Sequence, residues 1–295
     1  MLSPEYIYSQ LSNVKNHENW DTGLNGRSAV ALFFFHYSKF KKNVEVHNKG
    51  IDLLEYELNN LESVSNVSLF NGLAGIAWTV NYLSSENIVE IDHDEFLPSL
   101  LEDELRIIFF SGDILISNDQ FKNCSDIFLY FIERFFTTKS ELLKEQYDVF
   151  INQALILFTH FFHQLEIHKL YEKLDPGTLI SFIKNINILK YYFLSPLTNF
   201  LLSRSIEWVS SIQMPSNIHL PLLLKSAEQL DDTKLYKKLV KVQSINKEQK
   251  VELDKINILE NIGIWDSGYS RLGLKSIVFE GEVQKNSLKY LFDLD

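Results

Sequence analysis

The chain has 295 residues, 45% of them hydrophobic and 13% aromatic, with 28 Lys+Arg against 39 Asp+Glu and a formal net charge of −11. This composition excludes a mainly disordered chain, and 11 Gly with 6 Pro argue against collagen-like or turn-dense all-β architectures. The acidic balance disfavours nucleic-acid binding, and the lone cysteine, Cys124, excludes an intrachain disulfide and any zinc site needing two thiolates of this chain.

The first residues, Met1-Leu2-Ser3-Pro4-Glu5-Tyr6, carry neither a basic region nor an apolar signal core, so a soluble, cytoplasmic protein is expected. No apolar run reaches the 18 residues of a transmembrane helix; stretches such as 29–35 and 154–158 are among the longest. The first ordered feature is Gly23-Leu24-Asn25-Gly26, which opens the apolar run Arg27-Ser28-Ala29-Val30-Ala31-Leu32-Phe33-Phe34-Phe35-His36-Tyr37. A second helix is expected over 48–61, with Ile51, Leu54, Leu58 and Leu61 at spacings of three and four. Then Gly72-Leu73-Ala74-Gly75 opens Ile76-Ala77-Trp78-Thr79-Val80-Asn81-Tyr82-Leu83, 49 residues after the first motif. A glycine pair at a helix start permits a tight entry and a close backbone approach. It also exposes N–H groups that favour an anion, so packing and binding readings both stand.

The same step can be followed onward. At 126 the run Cys124-Ser125-Asp126-Ile127-Phe128-Leu129 keeps the apolar pattern without glycines, and Asp126 is expected to cap a helix. At 177 one glycine returns in Asp175-Pro176-Gly177-Thr178, and near 224 lies Pro221-Leu222-Leu223-Leu224. The last copy is Gly268-Tyr269-Ser270-Arg271-Leu272-Gly273. Between these starts, helices are expected over 96–110, 142–163 and 197–209; only 276–283 is ambiguous with a strand. The glycine-poor span 113–262 reads as helical throughout. Six units of about 50 residues, each long enough for two antiparallel helices, give an all-α chain of six helical hairpins.

Other clusters have plain structural readings. His160, His163 and His168, with Glu166 nearby, have the spacing of a helical metal pair but also of ordinary surface histidines. Glu90-Ile91-Asp92-His93-Asp94-Glu95 groups carboxylates around a histidine, yet Asp92 or Asp94 suits the N-cap of the following helix. The Lys234–Lys241 stretch reads as a solvated helix face. Trp78 and Trp265 lie beside the motifs, where they suit either a binding rim or a core. His36 is the candidate proton carrier, because histidine is the side chain most suited to that task near neutral pH. Phosphate-loop, serine-hydrolase and zinc-protease signatures are absent from the sequence.

The two glycine motifs with their apolar followers, and Gly268 to Leu274 as a worn copy, resemble the lanthionine synthetase C-like (LanC-like) family, in a version similar to one found in peptide-modification gene clusters. The resemblance implies an α/α toroid, one domain over 1–295, with six inner helices lining a cavity inside six outer ones. It places Gly23, Gly26, Gly72, Gly75, Gly268 and Gly273 as framework glycines at one mouth, beside Arg27, Asn71, Trp78, Asp126, Trp265 and Arg271 as candidate peptide-binding residues. Closure of such a ring would bring Arg27 near Arg271, with Asp126 across the mouth. Catalytic relatives hold zinc with two Cys and one His, in Trp-Cys-x-Gly and Cys-His-Gly elements, and use it to activate a peptide thiol for addition to a dehydrated Ser or Thr. Neither element occurs here, so no metal ligand, catalytic residue or cofactor is carried over. The expected role is a zinc-free binding or scaffolding partner for a peptide substrate or a modifying enzyme. The alternative is an enzyme with a metal-free cavity, closing rings or acting on glycans.

Overall fold

A computed structural model describes residues 3–13, 20–111, 117–190, 195–212 and 220–245, and among these no strand occurs. They fall into two compact units, one within Met1–Ile108 and the other within Phe109–Glu252.

In the first unit, α1 (Pro4–Ser12) is started by the Ser3 hydroxyl, which accepts from the Tyr6 N–H, and by Pro4, whose missing N–H costs nothing there. Helix α2 (Arg27–Lys41) packs on α3 (Val44–Asn59). Helix α4 (Leu73–Ser85) packs on α2, on α5 (His93–Leu97) and on the π turn that joins α5 to α6 (Asp103–Phe110). Every residue of α2 from Arg27 to Ser38 and of α4 from Leu73 to Ser84 is buried. Helices apolar on all sides belong in an interior, and that is where these sit.

The second unit repeats the hairpin three times: α7 (Asn118–Thr137) with α8 (Glu141–Ile167), α9 (Pro176–Lys190) with α10 (Pro196–Ile212), and α11 (Leu220–Gln229) with α12 (Thr233–Ile245). Its core is aromatic. Phe121, Phe128 and Phe182 gather around Phe158, with ring centroids 4.8 to 5.8 Å away. Such pairs add roughly 0.5–1.5 kcal/mol each beyond their buried area.

The expected second helices at 48–61, 96–110, 142–163 and 197–209 all form, as do the starts near 27, 73 and 176. Three expectations need correction. The buried stripe of α3 is Val46, Gly50, Leu53, Leu54 and Glu57, while Ile51, Leu58 and Leu61 are only half-buried. Gly50 sets that rotation, because the Phe35 ring lies where its side chain would be, 3.2 Å from an added Cβ. Asp126 caps no helix: α7 begins at Asn118, where Ser117 and Gln120 form a reciprocal capping box, and Asp126 lies buried two turns further on. Finally, Gly26 corresponds in space to Gly72, not to Gly75. Each precedes the first residue of its helix, and Arg27 N–H and Leu73 N–H donate to Asp21 and Asn66 carbonyls, both at 3.0 Å. The 3-10 turn Gly23–Asn25 precedes α2 and accounts for the altered register. The copy at 268–274, with Gly268 and Gly273, and the ambiguous 276–283 lie outside the described residues.

Candidate functional site

The two glycine motifs meet. Leu24 N–H donates to the Leu69 carbonyl at 3.3 Å and Asn25 N–H to the Phe70 carbonyl at 2.7 Å. The Thr22 hydroxyl donates to the Asn71 carbonyl at 2.8 Å, and the Asn25 carboxamide donates to Asn71 Oδ1 at 2.9 Å. The loops therefore form one hydrogen-bonded platform joining the starts of α2 and α4. The glycines make that approach possible. An added Cβ would stand 1.7 Å from Asp21 O at Gly26, 2.0 Å from Asn66 O at Gly72 and 1.9 Å from Leu69 O at Gly75. Gly23 also holds φ at +67°, the left-handed region that favours glycine.

Beneath the platform lies a carboxylate that the apolar reading of α3 did not single out. Glu57 Oε1 accepts from Gly23 N–H at 3.1 Å, and Oε2 accepts from the Ser28 hydroxyl at 2.5 Å. Arg27 Nε stands 4.0 Å from Oε1. The Arg27 guanidinium also donates to the Trp20 carbonyl at 2.7 Å and lies 4.8 Å over the Tyr56 ring. Burial raises the Glu57 carboxyl from its ordinary 4.5 to about 7, against the opposing pull of Ser28, Arg27 and Gly23. A signal was present in the sequence: Glu57 falls three residues after Leu54 and seven after Gly50, on the stripe that faces the core.

His36 is buried on α2, and its Nε2 lies 3.0 Å from the Tyr82 hydroxyl. Trp78 stacks on Tyr82 with ring planes 6° apart. Burial, helped by Lys39, lowers His36 to about 4, so the ring is neutral at physiological pH. Burial also pushes the Tyr82 hydroxyl above its ordinary value, with Glu86 adding to it. The pair holds two inner helices together and does not face solvent. Ser84, His93 and Asp94 have the identities of a hydrolytic triad, with His93 Nε2 3.5 Å from Asp94 Oδ1, but the serine hydroxyl is engaged elsewhere. The Ser84 hydroxyl donates to the Ile91 carbonyl, which leaves its oxygen to accept from His93 Nδ1 at 2.8 Å. The Asp92 side chain caps α5 through Asp94 N–H and Glu95 N–H, as the sequence suggested.

Of the candidate binding residues, Asn71 is exposed on the platform, whereas Arg27, Trp78 and Asp126 are buried. Trp265 and Arg271 lie outside the described residues. His160, His163 and His168 are exposed on or just beyond α8, and Glu166 lies 3.9 Å from His163 and 2.9 Å from Arg204. Among the described residues, no three His, Cys, Asp or Glu side chains are grouped to hold a metal ion. The Lys234, Lys237 and Lys238 side chains are exposed, over buried Leu235 and Leu239.

Cys124 fails as a zinc ligand on its own chemistry. It is buried in α7, and burial with the neighbouring Asp126 pushes its thiol up to about 12, away from the thiolate that binds metal. We expect iodoacetamide at pH 8 to label it only at the rate of unfolding. Labelling of the native chain at the rate of a free thiol would contradict its placement.

The family described as lanthionine synthetase C-like protein matches residues 18–171, just over half of the chain. No curated protein and no solved structure matches it.

Proposed function

The chain belongs to the lanthionine synthetase C-like family, whose fold is an α/α toroid, and on that premise we propose that it serves peptide maturation as a zinc-free binding partner. It holds a peptide substrate, or the enzyme that modifies it, and does not close thioether rings itself. The observation that carries this reading is a contrast within one chain. The glycine platform is retained in full hydrogen-bonded detail, while the only cysteine is a buried, unreactive thiol. The family's Cys2His zinc centre does not fit these residues, whose one thiol is buried and raised to about 12. A single domain over 1–295 and a cytoplasmic setting, which suits a chain with one free thiol, belong to the same proposal. Asn71 offers an exposed amide for recognition, held by the half-buried Asn25, and the net charge of −11 favours basic peptides through long-range attraction.

The buried groups support binding over catalysis. His36 and Glu57 both titrate away from their ordinary values, yet neither reaches solvent, and each is occupied by partners inside the first unit. The test is incubation of the full chain with a dehydrated, cysteine-bearing peptide and with its basic unmodified leader. Binding is followed by calorimetry, and ring closure by thiol alkylation and mass. The expected result is binding with ring closure no faster than in buffer. Accelerated closure would overturn the proposal, and no binding of either peptide would overturn the direct holding of a peptide.

A further inference from the structure

The chain has two Asn-Gly pairs, Asn25-Gly26 and Asn71-Gly72, one in each glycine motif. In such a pair the backbone nitrogen of the glycine can attack the carboxamide of the asparagine, because glycine puts no side chain in the way. The attack needs an N–H that is free to give up its proton and a carboxamide open to solvent. It also needs a donor at the carboxamide oxygen, where negative charge gathers. The two pairs differ in all three respects.

At the second motif, Asn71 is an exposed turn residue, and among the described residues the Gly72 N–H donates to no acceptor. The Asn25 carboxamide donates to Asn71 Oδ1 at 2.9 Å, the oxygen that becomes negative during attack. The Thr22 hydroxyl donates to the Asn71 carbonyl at 2.8 Å. That bond draws electron density from the adjoining amide, whose nitrogen is the nucleophile, and makes its N–H easier to remove. At the first motif, the Gly26 N–H is tied to the Gly23 carbonyl at 3.0 Å, closing the 3-10 turn. Asn25 is half-buried there, and its Oδ1 accepts no hydrogen bond among the described residues.

We propose that Asn71 is a self-modification site, activated by Thr22 and Asn25 of the first motif and converted to aspartate and isoaspartate. The Gly72 nitrogen bonds to Asn71 Cγ and the Cγ–Nδ2 bond breaks. Nδ2 leaves as ammonia, taking the proton that Gly72 gives up, so nothing is oxidised or reduced. Water then opens the cyclic imide on either side of its nitrogen. Opening at Cγ gives aspartate; opening at the backbone carbonyl gives isoaspartate, whose main chain runs through Cβ and is one carbon longer. Gly72 has no slack for the longer chain. Leu73 N–H donates to the Asn66 carbonyl at 3.0 Å, and an atom at the Cβ position of Gly72 would stand 2.0 Å from that same oxygen. Isoaspartate therefore loosens the platform, while aspartate keeps its backbone and adds a negative charge. This reactivity is a property of the interlocked loops and stands whether or not a peptide binds to them.

The test is peptide mapping by mass spectrometry of the full chain, held at pH 8 in buffer and in urea, with fragmentation that separates aspartate from isoaspartate. In the folded chain Asn71 should be converted about tenfold faster than Asn25 or more, the difference made by one well-placed hydrogen bond in a transition state. In urea the two should react at matching rates, because both are followed by glycine. Thr22→Val should slow Asn71 several-fold in the folded chain and leave its rate in urea unchanged. Thr22→Ser, which keeps the hydroxyl, should retain the wild-type rate. Equal conversion of Asn25 and Asn71 in the folded wild type, or an Asn71 that reacts in urea and stays intact when folded, would overturn the proposal without reference to any variant. A folded Thr22→Val chain that converts Asn71 at the wild-type rate would also overturn it.

Discussion

Gly26→Ala will unfold the platform. The added methyl would meet the Asp21 carbonyl oxygen at 1.7 Å and its carbon at 2.1 Å, and both are backbone atoms that cannot swing aside. The Asp21 carbonyl is held in place because it accepts from Arg27 N–H, the first N–H of α2. Moving it would break the helix start and then the Asn25–Phe70 and Leu24–Leu69 links to the second motif. Overpacking of this kind costs about 3 kcal/mol or more when the backbone has to move. Gly177→Ala is the matched control. Its methyl meets only the end of the Asp175 side chain, at 3.0 Å, where the capping carboxylate on Thr178 N–H has to give by a few tenths of an ångström, so a change within about 1 kcal/mol is expected. Urea unfolding should separate the two variants by several kcal/mol. Hydrogen exchange should localise the loss at Gly26→Ala to α2 and α4. A Gly26→Ala chain within about 1 kcal/mol of wild type would refute the interlocked loops.

The Glu57 carboxyl supplies the second large effect. Glu57→Leu removes the acceptor for Gly23 N–H and the Ser28 hydroxyl, and strips Arg27 of its nearby carboxyl group. Breaking one side of a buried charged cluster costs about 3–5 kcal/mol, and that range is expected here. Glu57→Gln is milder in shape but deletes the titration. The folded chain holds the Glu57 proton more tightly than the unfolded chain, since burial raises the group from 4.5 to about 7. Its stabilising contribution is therefore whole below the unfolded value and declines as pH rises through 4.5 to 7. The stability difference between wild type and Glu57→Gln should shrink across that window and level off above it. A difference independent of pH would show that Glu57 ionises in the folded chain as freely as in the unfolded one.

Much of the fold was legible because apolar periodicity reports burial directly. The apolar runs after Gly26 and Gly75 marked the helices α2 and α4, and the long run over 142–163 marked α8. What escaped was phase. The third unit has lost its glycines, so nothing in the apolar pattern of 124–132 marks a start; the marker is the Ser117–Gln120 box, which opens seven residues before the buried Cys124–Asp126 run. The 3-10 turn at Gly23–Asn25 is likewise silent in the sequence, so the motifs align 49 apart although Gly26 and Gly72 play the same part, and the helix neighbours His36 and Tyr82 lie 46 apart.

The candidate site was legible in its glycines and not in its polar partners. Close backbone approach leaves a trace in composition, because only glycine permits it. Glu57 acts across 34 residues of chain, on the far side of a helical hairpin, and its role becomes visible only when α3 is seen packed against α2. Arg27 and Trp78 were singled out for their nearness to the motifs, yet both turn inward, since the helices that carry them are surrounded on all sides.

The zinc content of the purified full chain tests the central claim most directly. After equilibration with excess zinc and gel filtration, elemental analysis should find far less than one ion per chain, because no cysteine thiolate is present to hold one. One zinc ion retained per chain would contradict the account, and would return this protein to the metal chemistry of its family.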